Sequence, residues 1–184
     1  YESKPHIGTD VLSAVVKEMR KYICAHGGEV RFHSQVTDIQ THSDNGQKIL
    51  RKLKIYDSQK KETYLLDTDL AVFAIGHSAR DTFSMLYHHG LPMQPKAFAV
   101  GVRIEHPQEM INQDQYGKNY PSFLPAAPYK LTANLDNGRG VYTFCMCPGG
   151  YVVNASSEEH RLAVNGMSYS RRDSQNANTA VIVT

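Results

Sequence analysis

One continuous apolar run stands out in this sequence, Asp69-Leu70-Ala71-Val72-Phe73-Ala74-Ile75-Gly76. An uninterrupted apolar strand that ends in glycine is typical of a parallel sheet covered on both faces, so the run predicts a central strand. Ligands of open α/β sheets bind beyond the carboxyl ends of the strands. The polar turn that follows, His77-Ser78-Ala79-Arg80-Asp81, is therefore a candidate ligand site, although a buried strand can also end in glycine without binding anything.

An amphipathic helix and a small antiparallel meander are predicted before this run. Apolar residues recur at helical spacing from Val11 to Ile23, and Thr9 or Asp10 can cap that helix. The turn Ser43-Asp44-Asn45-Gly46 carries a strong hairpin signal. The strands expected in this part are Glu29-Val30-Arg31-Phe32 and residues 35–40, 50–56 and 63–66.

A domain boundary is expected at Leu91-Pro92-Met93-Gln94-Pro95, because two prolines within four residues disfavour any regular element. It separates a first domain, residues 1–90, from a second, residues 91–184. The second is expected to be β-rich, and the whole chain α+β with mixed α/β character. Its predicted elements are strands over residues 97–105, 141–146, 151–155 and 179–184 and a helix over 106–112.

Composition and charge restrict the classes of function. The 184 residues contain 20 Lys and Arg against 18 Asp and Glu, and this net charge of +2 argues against nucleic acid or an acidic membrane as a partner. No apolar run approaches the roughly 18 residues that a membrane helix needs. Three cysteines do not make a disulfide framework, so we expect a soluble protein of a reducing compartment, the cytoplasm.

A second candidate site is the turn Cys145-Met146-Cys147-Pro148-Gly149-Gly150. Two cysteines two positions apart on a strand would point the same way, and the turn could hold a thiolate or lie over a flat ligand. Structural zinc usually takes Cys-x-x-Cys pairs and four ligands, and the chain has no second pair, so no metal site is expected. Cys145 fits a small buried apolar role better, and Cys147 is the candidate with a function.

Two further features bear on ligand binding. The chain lacks a Gly-x-Gly-x-x-Gly motif, which argues against a dinucleotide site that is complete within it. The segment Arg171-Arg172-Asp173-Ser174-Gln175-Asn176-Ala177-Asn178 is dense in hydrogen-bonding groups. A polar loop is the usual explanation for such a segment, and contact with a ligand is the alternative.

Six motifs carry a resemblance that runs through nearly the whole chain: Lys4-Pro5-His6-Ile7-Gly8-Thr9-Asp10, Gly28-Glu29-Val30-Arg31-Phe32, Ala74-Ile75-Gly76-His77-Ser78-Ala79-Arg80-Asp81, Gly101-Val102-Arg103-Ile104-Glu105-His106-Pro107, Phe144-Cys145-Met146-Cys147-Pro148-Gly149-Gly150 and Asn165-Gly166-Met167-Ser168-Tyr169. Together they resemble the bacterial FAD-dependent, NAD-utilising dehydrogenase family. The resemblance implies that residues 1–90 are the C-terminal part of a split, Rossmann-type FAD-binding domain. Residues 91–184 would be a truncated inserted domain that covers the flavin and shapes a small-molecule substrate site.

The resemblance also implies the cofactors and the residues that hold them. FAD would be the cofactor and NADH or NADPH the electron donor, while the phosphate loop and the returning strand would lie in missing N- and C-terminal segments of the same chain. The backbone of Val36 would reach the adenine, and Ile75 stands where many relatives have threonine. The cofactor-binding set is Val36, Ala74, Ile75, Gly76, His77 and Arg80.

Two functions follow from these expectations. In the first, the chain is a fragment of an FAD-dependent oxidoreductase that moves a hydride between a nicotinamide or organic donor and an acceptor, with Cys147 and His77 as catalytic candidates near the isoalloxazine. In the second, the parent is a flavoprotein scaffold whose inserted domain binds a macromolecule such as RNA. The basic residues from Lys48 to Lys61 alternate on the meander, as on a solvated face, which favours the first. Alone, the chain is expected to bind FAD weakly or not at all and to be inactive.

Overall fold

The computed structural model describes residues 6–184, so Lys4 and Pro5 of the first motif lie outside the described residues. It consists of two compact units: the described residues up to Tyr22 with Lys96–Thr184, and Ile23–Pro95. The unit Ile23–Pro95 ends within the predicted boundary segment, residues 91–95. The helical N-terminal residues group with the later part of the chain, however, so the units do not follow the division at residues 90 and 91.

The predicted N-terminal helix is confirmed as α1, Thr9–Ala25. The helix begins directly after Gly8, and the Gly8 carbonyl accepts hydrogen bonds from Val11 N and Leu12 N. Gly8 is therefore the N-cap, and neither Thr9 nor Asp10 is. The carboxylate of Asp10 instead accepts hydrogen bonds from the backbone N of Ser170 at 3.0 Å and from its Oγ at 2.8 Å. The predicted cap was therefore wrong because a tertiary contact uses the side chain.

The unit Ile23–Pro95 contains the predicted meander. Its strands are β1 (Ser34–Asp44), β2 (Gln47–Asp57) and β3 (Glu62–Asp67), followed by α2 (Arg80–His88). The three strands are antiparallel in the order β1-β2-β3, and Asn45 and Gly46 both have positive φ, as a two-residue hairpin with the twist of its strands requires. Ile39, Ile55 and Leu86, all at most 7% exposed, form its core.

Two strands predicted for this unit are wrong. Residues Glu29–Phe32 form no strand, because no other described segment pairs with them and the chain turns at Phe32 and His33 before β1 begins. Residues 69–76 form no strand either, and Val72 is 86% exposed. A buried parallel strand needs a hydrogen-bonded neighbour on each side, and none of the described residues supplies one to this run.

The other unit is β-rich, as predicted. Its elements after α1 are β4 (Val100–Pro107), α3 (Gln108–Tyr116), β5 (Thr132–Asn134), β6 (Gly140–Cys147), β7 (Gly150–Asn154), β8 (Val164–Ser168) and β9 (Asn176–Val183). Four strands form an antiparallel sheet in the order β4-β9-β6-β5, and β7 and β8 form a separate hairpin. The sequence did not predict β5 or β8, and β9 begins three residues before the predicted strand.

The four-stranded sheet has two different faces. Ile104 pairs with Thr179 and His106 with Ala177, so these side chains share one face, the helix face, against which α3 packs. Arg103 and Asn178 are offset by one residue and point to the opposite side, the hairpin face, where β8 lies. β9 is central, and its residues 177–179 are fully buried.

Candidate functional site

Part of the predicted cofactor-binding set lies together in the unit Ile23–Pro95. Residues 74–76 line an open pocket of about 540 Å³ with the apolar side chains of Phe73, Phe83, Leu86 and Met93. Gly76 has φ of +69°, which disfavours any other residue, and open space surrounds the position where a Cβ would lie. A ligand can therefore approach the backbone at Gly76 closely.

The other predicted cofactor residues lie outside the lining of that pocket. Val36 is half-buried on β1, opposite Ile55 of β2. His77 and Arg80 are exposed, and Arg80 begins α2. Of the predicted set, residues 74–76 line this pocket. The cofactor-binding roles predicted for Val36, His77 and Arg80 stay predictions.

The cysteine turn differs from its predicted arrangement because β6 contains a bulge. The register with β9 shifts between Phe144 and Cys147, and Cys145 has φ of +48°, an uncommon conformation for a non-glycine residue. As a result Cys145 is exposed and Cys147 is half-buried opposite Asn178. The expectation that Cys145 is half-buried core filler is wrong for this reason, and the two cysteines differ in exposure.

Cys147 belongs to a polar cluster on the hairpin face, which we call the Arg103 cluster: Arg103, Cys147, Gly166 and Asn178. Arg103 Nη1 donates to Asn178 Oδ1 at 2.6 Å and to the carbonyl oxygen of Cys145 at 3.2 Å. Both acceptors are neutral, so these hydrogen bonds do not cancel the guanidinium charge. Asn178 is completely buried, and its Nδ2 has no hydrogen-bond partner among residues 6–184.

Gly166 of β8 allows the hairpin to approach this cluster. A Cβ at Gly166 would collide with Arg103 Nη1 and Asn178 Oδ1 and would lie 2.7 Å from Cys147 Sγ. A side chain here would require either these three side chains or β8 to move. The absence of a side chain at Gly166 thus lets β8 lie close to the Arg103 guanidinium.

Burial raises the pKa of the Cys147 thiol, and the nearby charge and hydrogen bond of Arg103 only partly oppose that shift. At neutral pH the side chain is therefore a protonated thiol. Its Sγ lies 3.3 Å from the carbonyl oxygen of Cys145 and can donate to it. This environment favours a positioning role over that of a thiolate nucleophile.

The turn after Cys147 is fixed by two buried polar side chains that sequence reasoning missed. Gln108, at the start of α3 and 5% exposed, accepts from Gly149 N at 2.8 Å and donates to the carbonyl of Ala127 at 3.0 Å. Ser168 Oγ donates to the carbonyl of Pro148 at 2.8 Å. The sequence signal near Gln108 was the helix predicted over residues 106–112, with Pro107 in its first turn, whereas α3 begins at Gln108.

Two neighbouring histidines at the end of α2, His88 and His89, have separate partners. His88 Nδ1 lies 2.7 Å from the carbonyl oxygen of Ser84, one turn earlier in α2. His89 Nε2 lies 2.6 Å from Asp38 Oδ1, and this hydrogen bond holds the pKa of Asp38 below its ordinary value. Within the described part of the chain, no three His, Cys, Asp or Glu side chains converge as a metal site would require.

The described residues thus contain two candidate sites. The β-rich unit contains the Arg103 cluster, and the unit Ile23–Pro95 contains the open pocket beside Gly76. Residues 97–184, which contain the whole four-stranded sheet and the Arg103 cluster, match the family model described as FAD-dependent protein, C-terminal domain-like. An uncharacterized protein of Clostridium beijerinckii (strain ATCC 51743 / NCIMB 8052) is 52% identical over 187 residues, covering 100% of this chain and 33% of that protein. The chain thus spans about a third of the relative's length and is similar to part of an FAD-dependent protein.

Among residues 6–184, no helix combines the length and the apolar character needed to cross a membrane.

Proposed function

We propose that the chain is part of a cytoplasmic FAD-dependent oxidoreductase that transfers a hydride between NADH, NADPH or an organic donor and an acceptor. The observation that carries this proposal is the family match over residues 97–184, the segment that contains the Arg103 cluster. Flavin supplies the redox chemistry when bound, and the protein supplies binding, orientation and electrostatics. The substrate is proposed to be a small molecule held by residues 91–184.

The unit Ile23–Pro95 is proposed to contribute one edge of the flavin site. Gly76 offers its backbone without a side chain in the way, and the apolar run 69–76 is exposed in the manner of a strand that pairs with another part of a longer protein. The relative is three times as long as the chain, which leaves room for such a part. We propose that Val36 reaches the adenine and that Arg80 bonds a phosphate, with residues 1–90 forming part of a split FAD-binding domain.

The Arg103 cluster is proposed to contribute charge to the flavin or substrate. A guanidinium held by two neutral acceptors keeps a net positive charge that favours anionic groups near it. Asn178 Nδ2 is a further buried donor. Cys147 is proposed to act as a neutral thiol that positions neighbouring groups, and His77 to lie near the isoalloxazine.

The test uses the full-length Clostridium beijerinckii relative, because this chain covers only a third of it. The relative is mixed with FAD, separated from free FAD by gel filtration, and titrated with NADH and NADPH without oxygen. Bleaching of bound flavin by either nucleotide is expected. Bound flavin that neither nucleotide reduces would contradict a nicotinamide donor and leave an organic donor to be found. A relative that binds no flavin would contradict the whole proposal and leave a macromolecular partner of residues 91–184 as the question.

A further inference from the structure

A second pocket lies in the β-rich unit, between α3 and the helix face of the sheet. Its volume is about 460 Å³, within the range that binds small organic ligands. Most of its wall is apolar, and the sheet and the helix enclose it from two sides. Characteristic lining residues are Ile104 of β4, Met110 and Ile111 of α3, Leu131, Val141 of β6 and Val181 of β9.

One hydrogen-bonded pair of polar side chains lies in this mostly apolar wall, which also contains Asp114, Gln115, Thr132 and Thr143. His106 Nε2 is 2.7 Å from Tyr129 Oη, and the two rings are tilted by 38° with centroids 5.5 Å apart. Burial raises the pKa of Tyr129, so the phenol keeps its proton at neutral pH. A few polar groups in a mostly apolar cavity are a common way for a protein to orient a ligand.

The chemistry of the pair indicates which ligand group it accepts. If Tyr129 donates its proton to His106, the Tyr129 oxygen has lone pairs left and needs a donor; if His106 donates, the phenol O–H is free and needs an acceptor. A hydroxyl group satisfies both cases because it donates and accepts. Asp114 places a carboxylate in the lining, which disfavours a ligand that carries a carboxylate or phosphate.

We propose that this pocket binds a small, uncharged, mostly apolar organic molecule whose hydroxyl group is hydrogen-bonded to Tyr129 Oη. The site is independent of the proposed flavin function, since it lies on the opposite face of the sheet from the Arg103 cluster. All of its lining residues belong to the β-rich unit, so binding can be tested with this chain.

The test compares 1-naphthol with naphthalene, which has the same ring system but no hydroxyl, in fluorescence titrations of this chain. We expect 1-naphthol to bind more tightly than naphthalene. Tyr129→Phe removes one neutral hydrogen bond and should weaken 1-naphthol binding about fivefold without changing naphthalene binding. The matched control Tyr151→Phe removes a hydroxyl from β7, outside the pocket lining, and should change neither.

A blocking variant tests the location. Ile111→Trp fills the pocket from α3 and should abolish the binding of both probes. Its circular dichroism spectrum should match that of the unsubstituted chain. Failure of the unsubstituted chain to bind 1-naphthol would overturn the proposal. Equal binding of the two probes, with no effect of Tyr129→Phe, would also overturn it. If Ile111→Trp does not fold, the Tyr129→Phe comparison decides the question by itself.

Discussion

The hairpin face and the helix face of the four-stranded sheet are built from neighbouring residues of the same strands, yet they bury different chemistry. On the hairpin face, Arg103 and Asn178 are joined at 2.6 Å and β8 packs tightly over them through Gly166. On the helix face, α3 leaves an apolar cavity beside His106 and Tyr129. The alternation of side chains along β4 thus lets one strand supply both a charged cluster and an apolar pocket.

The largest effect is expected on the hairpin face, from Asn178→Ala. The change removes a completely buried acceptor of a charged donor and leaves a cavity beside Arg103. We expect a loss of about 3 kcal/mol in the free energy of unfolding of the β-rich unit, measured by urea denaturation. Asn165→Ala, an exposed position on β8, is the control and should change stability little. Equal effects of the two variants would show that the cluster contributes nothing specific.

Gly166→Ala should be the next most damaging change. The added methyl group collides with Arg103 and Asn178, so their hydrogen bond or the position of β8 must change, and we expect a loss of about 2 kcal/mol in the free energy of unfolding. Gly140→Ala is the matched control, because a Cβ there would lie 3.6 Å from the nearest side-chain atom, Thr184 Oγ1, an ordinary contact. Urea denaturation of both variants measures the difference. A Gly166→Ala protein as stable as Gly140→Ala would contradict the close packing of the hairpin face.

On the helix face, Tyr129→Phe should cost less, about 1 kcal/mol, because it removes one hydrogen bond in a cavity that solvent can reach. Thermal unfolding monitored by circular dichroism measures it. A loss as large as that of Asn178→Ala would mean that the helix face is packed as tightly as the hairpin face.

The smallest effect concerns pH. The pKa of Cys147 in the folded protein is raised above its ordinary value. The protonated thiol's contribution to the free energy of unfolding is therefore complete below about pH 8.5 and is lost as pH rises through the folded pKa. Cys147→Ala should therefore flatten the alkaline decline in stability of the β-rich unit, whereas Cys24→Ala, at an exposed cysteine, should not. Unfolding midpoints measured between neutral and alkaline pH test this. Parallel pH profiles for the parent chain and both variants would contradict it.

Local signals in the sequence predicted the meander, because Asn45 and Gly46 specify their turn by backbone preference alone. The strand over residues 69–76 was predicted wrongly, since burial on both faces depends on neighbours and not on the run itself. Polar Asn176 and Asn178 concealed the start of central strand β9. There, the hydrogen bonds from Asn176 to Glu105 and from Arg103 to Asn178 outweigh the low strand propensity of asparagine. Likewise, the bulge at Cys145 that sets the two thiols apart has no local sequence signal.

The relation to FAD-dependent proteins is tested most directly by absorption spectra of the full-length Clostridium beijerinckii relative and of this chain, each mixed with FAD and then gel-filtered. The proposed split cofactor site predicts flavin absorption bands with the full-length protein. It predicts little or none with this chain, because the proposal places only one edge of the site in it. Flavin bound stoichiometrically by this chain would contradict the split site. The absence of flavin from the full-length protein would contradict the assignment to an FAD-dependent oxidoreductase.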